Sequence, residues 1–194
     1  ELVIDIAAVG TAERFVGRMG GAEGDRVFAA GWGFGYTWLG YRVLLLGERP
    51  DVEDRYVEAA LGHLYEPRVP LRFDERAAET INAAMDSSDG LATTLYELAE
   101  LNMLNIELED LPLDPDLEAA LSDAGLDPLE AALYGGEEYG AVGLVAERAV
   151  DKLKEIAEQE RVPFWIIGKA TRSEGSANVT FKGRKLAKRG WTHF

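Results

Sequence analysis

The sequence predicts an α+β fold, a mixed α/β domain in which helices pack on a β-sheet. Helical and strand-like segments are interspersed along the 194 residues, which is typical of helices covering a sheet. Hydrophobic residues make up 47% of the chain and charged residues 28%, ordinary values for a globular protein with a sizeable core. Cys is absent, so disulfides, thiolate metal sites and cysteine nucleophiles are excluded.

The first part of the chain carries two predicted strands and three predicted helices. Residues 2–9 alternate in the manner of a strand, with Leu2, Ile4 and Ile6 on one side. A second strand over residues 26–30 follows the Gly-rich loop 17–24. The three helices are expected over residues 36–46, 52–64 with Asp51 as N-cap, and 74–84 with Asp74 at its start.

Helices and strands continue to alternate in the second part of the chain. Leu91, Leu95, Leu98 and Leu101 recur at helical spacing and predict an amphipathic helix. The segments after it are expected as a strand over 105–108, short helices over 116–123 and 128–133, a strand over 139–146, a helix over 149–160, a strand over 164–168, and a hairpin of 178–182 with 184–186 about Gly183.

The strongly acidic composition limits the partners of the protein. Lys and Arg number 20 and Asp and Glu 35, which gives a formal net charge of −15. Such a surface repels nucleic acid and anionic membranes, so neither is expected as a partner. No apolar run is long enough to span a membrane and no secretory leader is evident, which predicts a cytoplasmic protein. We interpret the basic cluster at residues 182–189 as the solvated face of the hairpin.

The most informative stretch is Met85-Asp-Ser-Ser-Asp-Gly-Leu91, which stands directly before the amphipathic helix. A helix start has free N–H groups and a partial positive charge, which suit phosphate. Asp86 and Asp89 are ligands of the kind that Mg²⁺ prefers together with phosphate oxygens and water. The stretch therefore indicates a nucleotide-phosphate site. The alternative is that Ser88 or Asp89 only caps the helix.

Three further stretches carry weaker signals. Gly31-Trp-Gly-Phe-Gly35 lies between a strand and a helix but fits no phosphate-loop pattern, so a tight turn is the favoured interpretation. In Gly135-Gly-Glu-Glu-Tyr139 the two glutamates are expected to enter a strand and to point to opposite faces, so that one faces a pocket and the other faces solvent. The alternative is that both are surface acids. Gly190-Trp-Thr-His-Phe194 could form an aromatic wall for a planar ligand. The alternative interpretation is a tail that Trp191 or Phe194 anchors in an apolar groove. No catalytic nucleophile is assigned, because Ser87 and Ser88 lack a nucleophile elbow.

These stretches, taken in order, resemble the thiamine-monophosphate kinases of the aminoimidazole-ribonucleotide-synthetase-like superfamily. The resemblance runs along the whole chain. It rests on the three motifs just described that begin at Met85, Gly135 and Gly190, together with Arg18-Met-Gly-Gly-Ala-Glu-Gly-Asp25 and His63-Leu-Tyr-Glu-Pro-Arg68. It implies transfer of the ATP γ-phosphoryl group to thiamine monophosphate, giving thiamine diphosphate, with Mg²⁺ ions.

The resemblance also implies roles for particular residues. Asp86 and Asp89 match metal-binding aspartates of the family, and Arg18 and Ser88 match nucleotide contacts. Glu137 and Trp191 match substrate contacts, with the aromatic ring beside the thiamine rings. An aromatic face is a suitable neighbour for a cationic thiazolium.

The family carries an N-terminal domain with further metal-binding carboxylates. By resemblance, residues 1–24 are the tail of that domain and a linker, and residues 25–194 are the C-terminal α/β domain with the superfamily fold. We therefore expect this chain alone to lack kinase activity. The family is dimeric, mainly through the N-terminal domain, so the resemblance implies that the full-length protein is a homodimer.

The chain departs from the family pattern at three places. Residues 31–37 replace the family's Gly-x-x-Gly-Asp-Ser, the family's Gly-Gly-Glu-Asp-Tyr-Glu-Leu becomes Gly-Gly-Glu-Glu-Tyr-Gly-Ala, and Ser87 stands where the family has isoleucine. These changes indicate a divergent homologue. Two alternatives stay open: another ATP-using enzyme of the superfamily that acts on a ribotide, and a nucleotide-binding homologue without turnover.

Overall fold

The computed structural model describes residues 4–190. These residues form seven strands, seven α-helices and a short 3₁₀ turn at Glu147–Ala149. The elements in chain order are β1 (Arg26–Ala30), α1 (Tyr36–Leu44), α2 (Asp54–Tyr65), α3 (Leu71–Ala77), β2 (Ile81–Asp86), α4 (Leu91–Asn102), β3 (Leu104–Leu108), α5 (Pro115–Asp123), α6 (Pro128–Tyr134), β4 (Ala141–Val145), α7 (Val150–Glu160), β5 (Phe164–Arg172), β6 (Val179–Phe181) and β7 (Arg184–Lys185).

The strands form one mixed sheet in the order β2-β4-β1-β5-β3-β6-β7. All neighbouring pairs are antiparallel except β3 and β6, which run parallel. Strand β2 therefore lies at one edge of the sheet, with its last residue, Asp86, paired with Ala141 at the start of β4. This pairing brings the loop after β2 next to the loop before β4.

Helices cover both faces of the sheet. Successive side chains of β1 point to opposite faces, and both sets are buried, so each face needs a covering layer. Val27 and Ala29 face the cluster that contains the apolar side of α4, including Leu91, Leu95 and Leu98. Phe28 and Ala30 face the opposite cluster, to which α3 and α7 contribute Phe73, Leu153 and Ile156. A separate cluster around Leu39, Tyr56 and Leu117 joins α1, α2 and α5. The α+β fold is thus confirmed, with α4 holding the segment before it against the sheet.

Two predicted segments are wrong. Residues 4–9 form no strand, and the side chains of Ile4 and Ile6 are 74% and 85% exposed. A strand needs a neighbour for its backbone hydrogen bonds, and no strand of the described chain pairs with this segment. The predicted helix over 74–84 is instead α3 followed by β2. The alanines at 83–84 have high helix propensity, but Ile81 and Ala83 are buried in the sheet.

The predicted positions of Asp51 and Asp74 at helix starts are also wrong. Glu53 rather than Asp51 occupies the N-cap position of α2, without a side-chain capping bond, and Asp74 lies in the first turn of α3. The other predicted elements are present within the described residues, with ends shifted by four residues or fewer. None of the helices formed by residues 4–190 combines the length and apolar character needed to cross a bilayer.

Candidate functional site

The first part of the site is the loop of residues 86–90, which we term the Asp loop. It connects the end of β2 to the start of α4; the sequence predicts the helix after the loop but not the strand before it. Asp86 is exposed, Ser88 and Asp89 are half-buried, and Ser87 is fully buried between them. Strand pairing on one side and the buried leucines of α4 on the other hold both ends of the loop.

The helix-capping interpretation of the Asp loop is wrong. Gly90 occupies the N-cap position of α4, and no side chain forms a capping hydrogen bond there. Within residues 4–190, neither Asp86 nor Asp89 makes a side-chain hydrogen bond or an ion pair. The two carboxylates therefore keep their lone pairs for solvent or for a ligand.

The second part of the site is the loop of residues 135–139, which we term the Glu loop. It precedes β4 and does not form part of that strand, so the predicted start at residue 139 is too early. Glu137 is exposed and Glu138 is 2% exposed, so one acid is accessible and the other is enclosed by protein. The loop conformation causes this, because Glu137 and Tyr139 adopt left-handed backbone angles, with φ of 57° and 47°.

The two loops line one pocket of about 370 Å³, which is within the range of small-molecule sites. Ser88 and Asp89 come from the Asp loop and Glu137 from the Glu loop. An apolar wall faces these polar groups and consists of Tyr41, Leu45 and Leu64. We term this cavity the Glu137 pocket. Its lining combines acidic groups with hydrophobic surface, a chemistry that suits a cationic ring.

The wall residues were not predicted from the sequence. Thr37, Tyr41 and Leu45 recur every four residues and lie on one side of α1 and its C-cap. That spacing places them on one face, but only the position of α1 beside the Glu loop shows that the face borders a pocket.

Tyr139 marks the point where the negative charges converge. The pKa of its hydroxyl is raised, first by partial burial and then by the nearby charges of Glu137, Asp86 and Asp89. The ring borders the Glu137 pocket on one side and a smaller cavity with Asp86 on the other. The three acids thus belong to one negative region, where an anionic phosphate binds only with compensating cations.

Arg18 lies on the other side of Asp86. The two residues border a shallow groove of about 670 Å³ along β2, which we term the Arg18 groove. The Arg18 guanidinium forms an exposed ion pair with Glu97 on α4, at 3.2 Å. The structure therefore groups the predicted residues as Ser88, Asp89 and Glu137 in one cavity and Arg18 with Asp86 in the groove beside it.

Asp86 and Asp89 are the candidate ligands for a magnesium ion. No cluster of three or more His, Asp or Glu side chains suited to a metal occurs in residues 4–190. Asp86 and Asp89 are nevertheless unpaired carboxylates three positions apart on one loop. Mg²⁺ is commonly held by one or two carboxylates together with substrate phosphates and water, so the donors fit that arrangement.

The 63–68 motif contacts the 31–35 turn and the start of α1. Arg68, the last residue of the 63–68 motif, stacks over the ring of Trp32 at 4.2 Å. Trp32 belongs to the 31–35 turn, which joins β1 to α1 as a tight turn, the interpretation favoured from the sequence. His63 lies against Tyr36, with ring centroids 5.2 Å apart, and burial lowers the pKa of its imidazole.

The C-terminal segment packs against the Asp loop. Lys188 and Arg189 pair with Glu100 and Glu130, and the basic residues of 182–189 are exposed, in agreement with a solvated face. Gly190 contacts the Asp89 backbone so closely that a Cβ atom there would overlap the Asp89 carbonyl oxygen. Trp191, the predicted aromatic substrate contact, lies outside the described residues.

The sequence is similar to curated proteins of known function. The chain is 32% identical over 193 residues to a thiamine-monophosphate kinase of Aquifex aeolicus, covering 98% of this chain and 58% of the relative. It is 34% identical over 194 residues to the enzyme of that name from Pyrobaculum calidifontis, covering 100% and 58%. The chain thus spans somewhat more than half the length of these curated relatives.

Solved structures show the same fold. The structure described as AaThiL complexed with AMPPCP and TMP has a TM-score of 0.76 at 29% identity, with 94% of this chain and 55% of that chain covered. The thiamine monophosphate kinase of Aquifex aeolicus gives a TM-score of 0.74 at 28% identity, covering 91% and 56%. The hydrogenase maturation protein HypE, at 15% identity and a TM-score of 0.64, shares the fold.

Residues 23–179 match the family described as AIR synthase related protein, C-terminal domain. This match covers most of the chain, including both site loops. The chain belongs to the AIR synthase related family, as a carrier of its C-terminal domain.

Proposed function

We propose that the complete protein containing this chain transfers the γ-phosphoryl group of ATP to thiamine monophosphate, giving thiamine diphosphate, and that this chain supplies part of the site. One observation carries the proposal: the Asp loop and the Glu loop, which match kinase motifs, line a single pocket. A relative with the same fold is described as complexed with AMPPCP and TMP.

The Glu137 pocket is the place we assign to thiamine monophosphate. Its apolar wall of Tyr41, Leu45 and Leu64 offers hydrophobic contact to the rings, and the exposed Glu137 carboxylate offers an opposite charge to the thiazolium. We place Trp191 at the same substrate, where its ring would contribute cation–π attraction. Gly190, directly before it in the chain, contacts the Asp loop, which supports this assignment.

We assign the phosphate groups and their metal ions to the Asp loop. Asp86 and Asp89 would hold Mg²⁺, which neutralises phosphate charge during transfer. Ser88 and Arg18 are assigned to the nucleotide: Ser88 offers a hydroxyl in the pocket, and Arg18 offers a guanidinium in the adjoining groove. Asp86 borders the Arg18 groove and lies close to Tyr139 of the pocket, so the two substrates would approach each other there.

Phosphoryl transfer suits this set of residues because it depends on positioning and charge neutralisation, without a covalent nucleophile from the protein. We assign no residue of this chain as nucleophile or general base. We also propose, from the resemblance, that an N-terminal domain supplies further carboxylates, that this chain alone is inactive, and that the complete protein is a cytoplasmic homodimer.

The test is thiamine diphosphate formation by the complete gene product, with ATP, Mg²⁺ and thiamine monophosphate. Asp86→Asn combined with Asp89→Asn should weaken Mg²⁺–nucleotide binding by roughly tenfold or more, because a charge-assisted contact is lost at each position. Trp191→Ala should raise the KM for thiamine monophosphate more than the KM for ATP. The control is Asp123→Asn, at the end of α5 and outside both cavities.

Two results would contradict the proposal in different ways. Wild-type protein that binds Mg²⁺–ATP but forms no thiamine diphosphate would point to another substrate, such as a ribotide. Unchanged nucleotide affinity in the double aspartate variant would show that these carboxylates hold no metal.

A further inference from the structure

Two buried polar side chains connect the loops of the site. Ser87 is fully buried and Glu138 is 2% exposed, although both loops border open cavities. The Ser87 hydroxyl donates a hydrogen bond to Glu138 Oε2 at 2.9 Å, and the backbone N–H of Gly136 donates to Glu138 Oε1 at 3.0 Å. The Glu138 carboxylate thus has one bond to the Asp loop and one within its own Glu loop.

Backbone hydrogen bonds cross the same junction. The N–H groups of Glu137 and Tyr139 donate to the carbonyls of Ser88 and Ser87, at 2.7 and 2.9 Å. The N–H of Ser87 donates to the carbonyl of Gly140 at 2.9 Å. The two loops therefore form one hydrogen-bonded unit, in which the Ser87–Glu138 pair is the side-chain contribution.

The 31–35 turn closes the third side of this unit. A Cβ atom at Gly33 would lie 3.0 Å from both the Cα and the carbonyl oxygen of Glu138, closer than most real contacts. Gly33 therefore lets the turn approach the Glu138 backbone directly. The turn, which fits no phosphate-loop pattern, holds the Glu loop in place instead.

Ser87 and Glu138 are also two of the positions at which this chain departs from the kinase motifs. By the resemblance, Ser87 stands where the family motif has isoleucine, and Glu138 stands where it has the shorter aspartate. A buried carboxylate requires donors, and an isoleucine offers none, whereas the Ser87 hydroxyl supplies one at good distance. In this chain the Ser87 hydroxyl therefore supplies the buried Glu138 carboxyl with a donor from the neighbouring loop.

We propose that Ser87 and Glu138 form a clamp that positions Asp86, Ser88 and Asp89 relative to Glu137, with Glu138 as a positioning residue that does not touch substrate. The inference rests on the proposed function for the roles of the four positioned residues. The clamp itself depends only on the hydrogen bonds between the loops. Glu138 is buried behind the pocket lining, because its carboxylate accepts from the Gly136 N–H while Glu138 itself does not line the pocket that Glu137 borders.

The clamp works through hydrogen-bond geometry, so a neutral side chain of the same shape preserves it. The amide of Glu138→Gln keeps an acceptor for the Gly136 N–H and offers a donor to the Ser87 oxygen. Glu138→Ala removes both bonds, and Ser87→Ala removes one while leaving the buried carboxylate short of a donor.

Amide hydrogen exchange of the 194-residue chain tests the clamp without any ligand. The Glu137 and Tyr139 amides in Ser87→Ala and Glu138→Ala should exchange roughly tenfold to a hundredfold faster than in wild type, the loss expected when a buried hydrogen-bonding group loses its partner. Glu138→Gln should recover most of the protection. The matched control, Ser122→Ala, removes a serine hydroxyl bond at an exposed position of α5 and should leave both amides unchanged.

Kinetics of the complete gene product test the positioning role. Ser87→Ala should lower kcat for thiamine diphosphate formation by roughly tenfold or more, because small misplacements of reacting groups are costly. Glu138→Gln should restore most of the kcat lost in Glu138→Ala.

Each result decides a separate statement. Exchange in Ser87→Ala and Glu138→Ala that matches the Ser122→Ala control would overturn the clamp. Faster exchange with unchanged kcat would overturn the positioning role and leave a contact that only stabilises the fold. Wild-type protein without turnover would contradict the proposed function, while the exchange experiment would still decide the clamp.

Discussion

Replacing Glu138 with Gln should remove a titration that makes the fold less stable as pH rises. Burial of this side chain raises the pKa of its carboxyl from 4.5 to about 7, against the opposing effect of the hydrogen bonds from Ser87 and Gly136. The nearby Glu137 charge adds to the increase. The shift corresponds to about 3 kcal/mol, since one pKa unit is equivalent to about 1.4 kcal/mol.

The direction follows from proton binding in the two states. Below pH 4.5 the carboxyl is protonated in both the folded and the unfolded chain, so it contributes no pH dependence. Between pH 4.5 and about 7 the unfolded chain has lost the proton and the folded chain retains it. Stability therefore falls through this window as pH rises, and the full cost is present above pH 7.

The assay is urea unfolding followed by tryptophan fluorescence, at several pH values from 4 to 8, for wild type and Glu138→Gln. All other titrating groups are shared, so the difference between the two free energies of unfolding isolates Glu138. This difference should change by about 3 kcal/mol in favour of the variant between pH 4.5 and pH 8.

A difference that stays constant across the range would refute the reasoning. It would mean that Glu138 ionises in the folded chain as it does in the unfolded chain, with water reaching the junction of the two loops. The close packing of Gly33 against Glu138 would then not represent the protein in solution.

Two further perturbations test the packing around the site. Gly190→Ala should displace the C-terminal segment from the Asp89 carbonyl and weaken binding of thiamine monophosphate to the complete protein, as measured by calorimetry. Gly175 has open space around it, so Gly175→Ala should leave the affinity unchanged, and equal affinities of the two variants would show that the Gly190 contact has no role in binding. Leu95 is fully buried on α4, so Leu95→Ala should lower the free energy of unfolding in urea by about 2–5 kcal/mol. Leu101 on the same helix is 42% exposed, so Leu101→Ala should cost much less, and similar losses in the two variants would contradict the assigned core face.

The placement of the Asp loop could be predicted from the sequence because the flanking signals are local. The spacing of Leu91, Leu95 and Leu98 specifies which side of α4 is buried, because the helix period is independent of the rest of the fold. Leu101, the fourth leucine of the pattern, is 42% exposed near the end of the helix. The role of Ser88 or Asp89 as a helix cap could not be decided in the same way. Capping and ligand binding use the same residue types, and only the coordinates show Gly90 at the N-cap position.

The strand β2 shows where local signals fail. Ile81 to Ala84 contains residues that suit a helix as well as a strand, and pairing with β4 decides between them. The error matters for function, because Asp86 ends this strand and the pairing with Ala141 brings the Asp loop beside the Glu loop. A helix through residue 84 would have left the relation between the two loops undefined.

The sequence by itself determined the fold class, the order of most elements, the family resemblance and the residues Asp86, Ser88, Asp89 and Glu137 as candidates, because each depends on residue type and spacing along the chain. Only the tertiary structure decided which acids share a pocket, which one is buried, and what holds them. Those properties depend on contacts between residues about fifty positions apart, such as the hydrogen bond from Ser87 to Glu138. Burial of that pair results from the packing of three loops, which no single segment of sequence specifies.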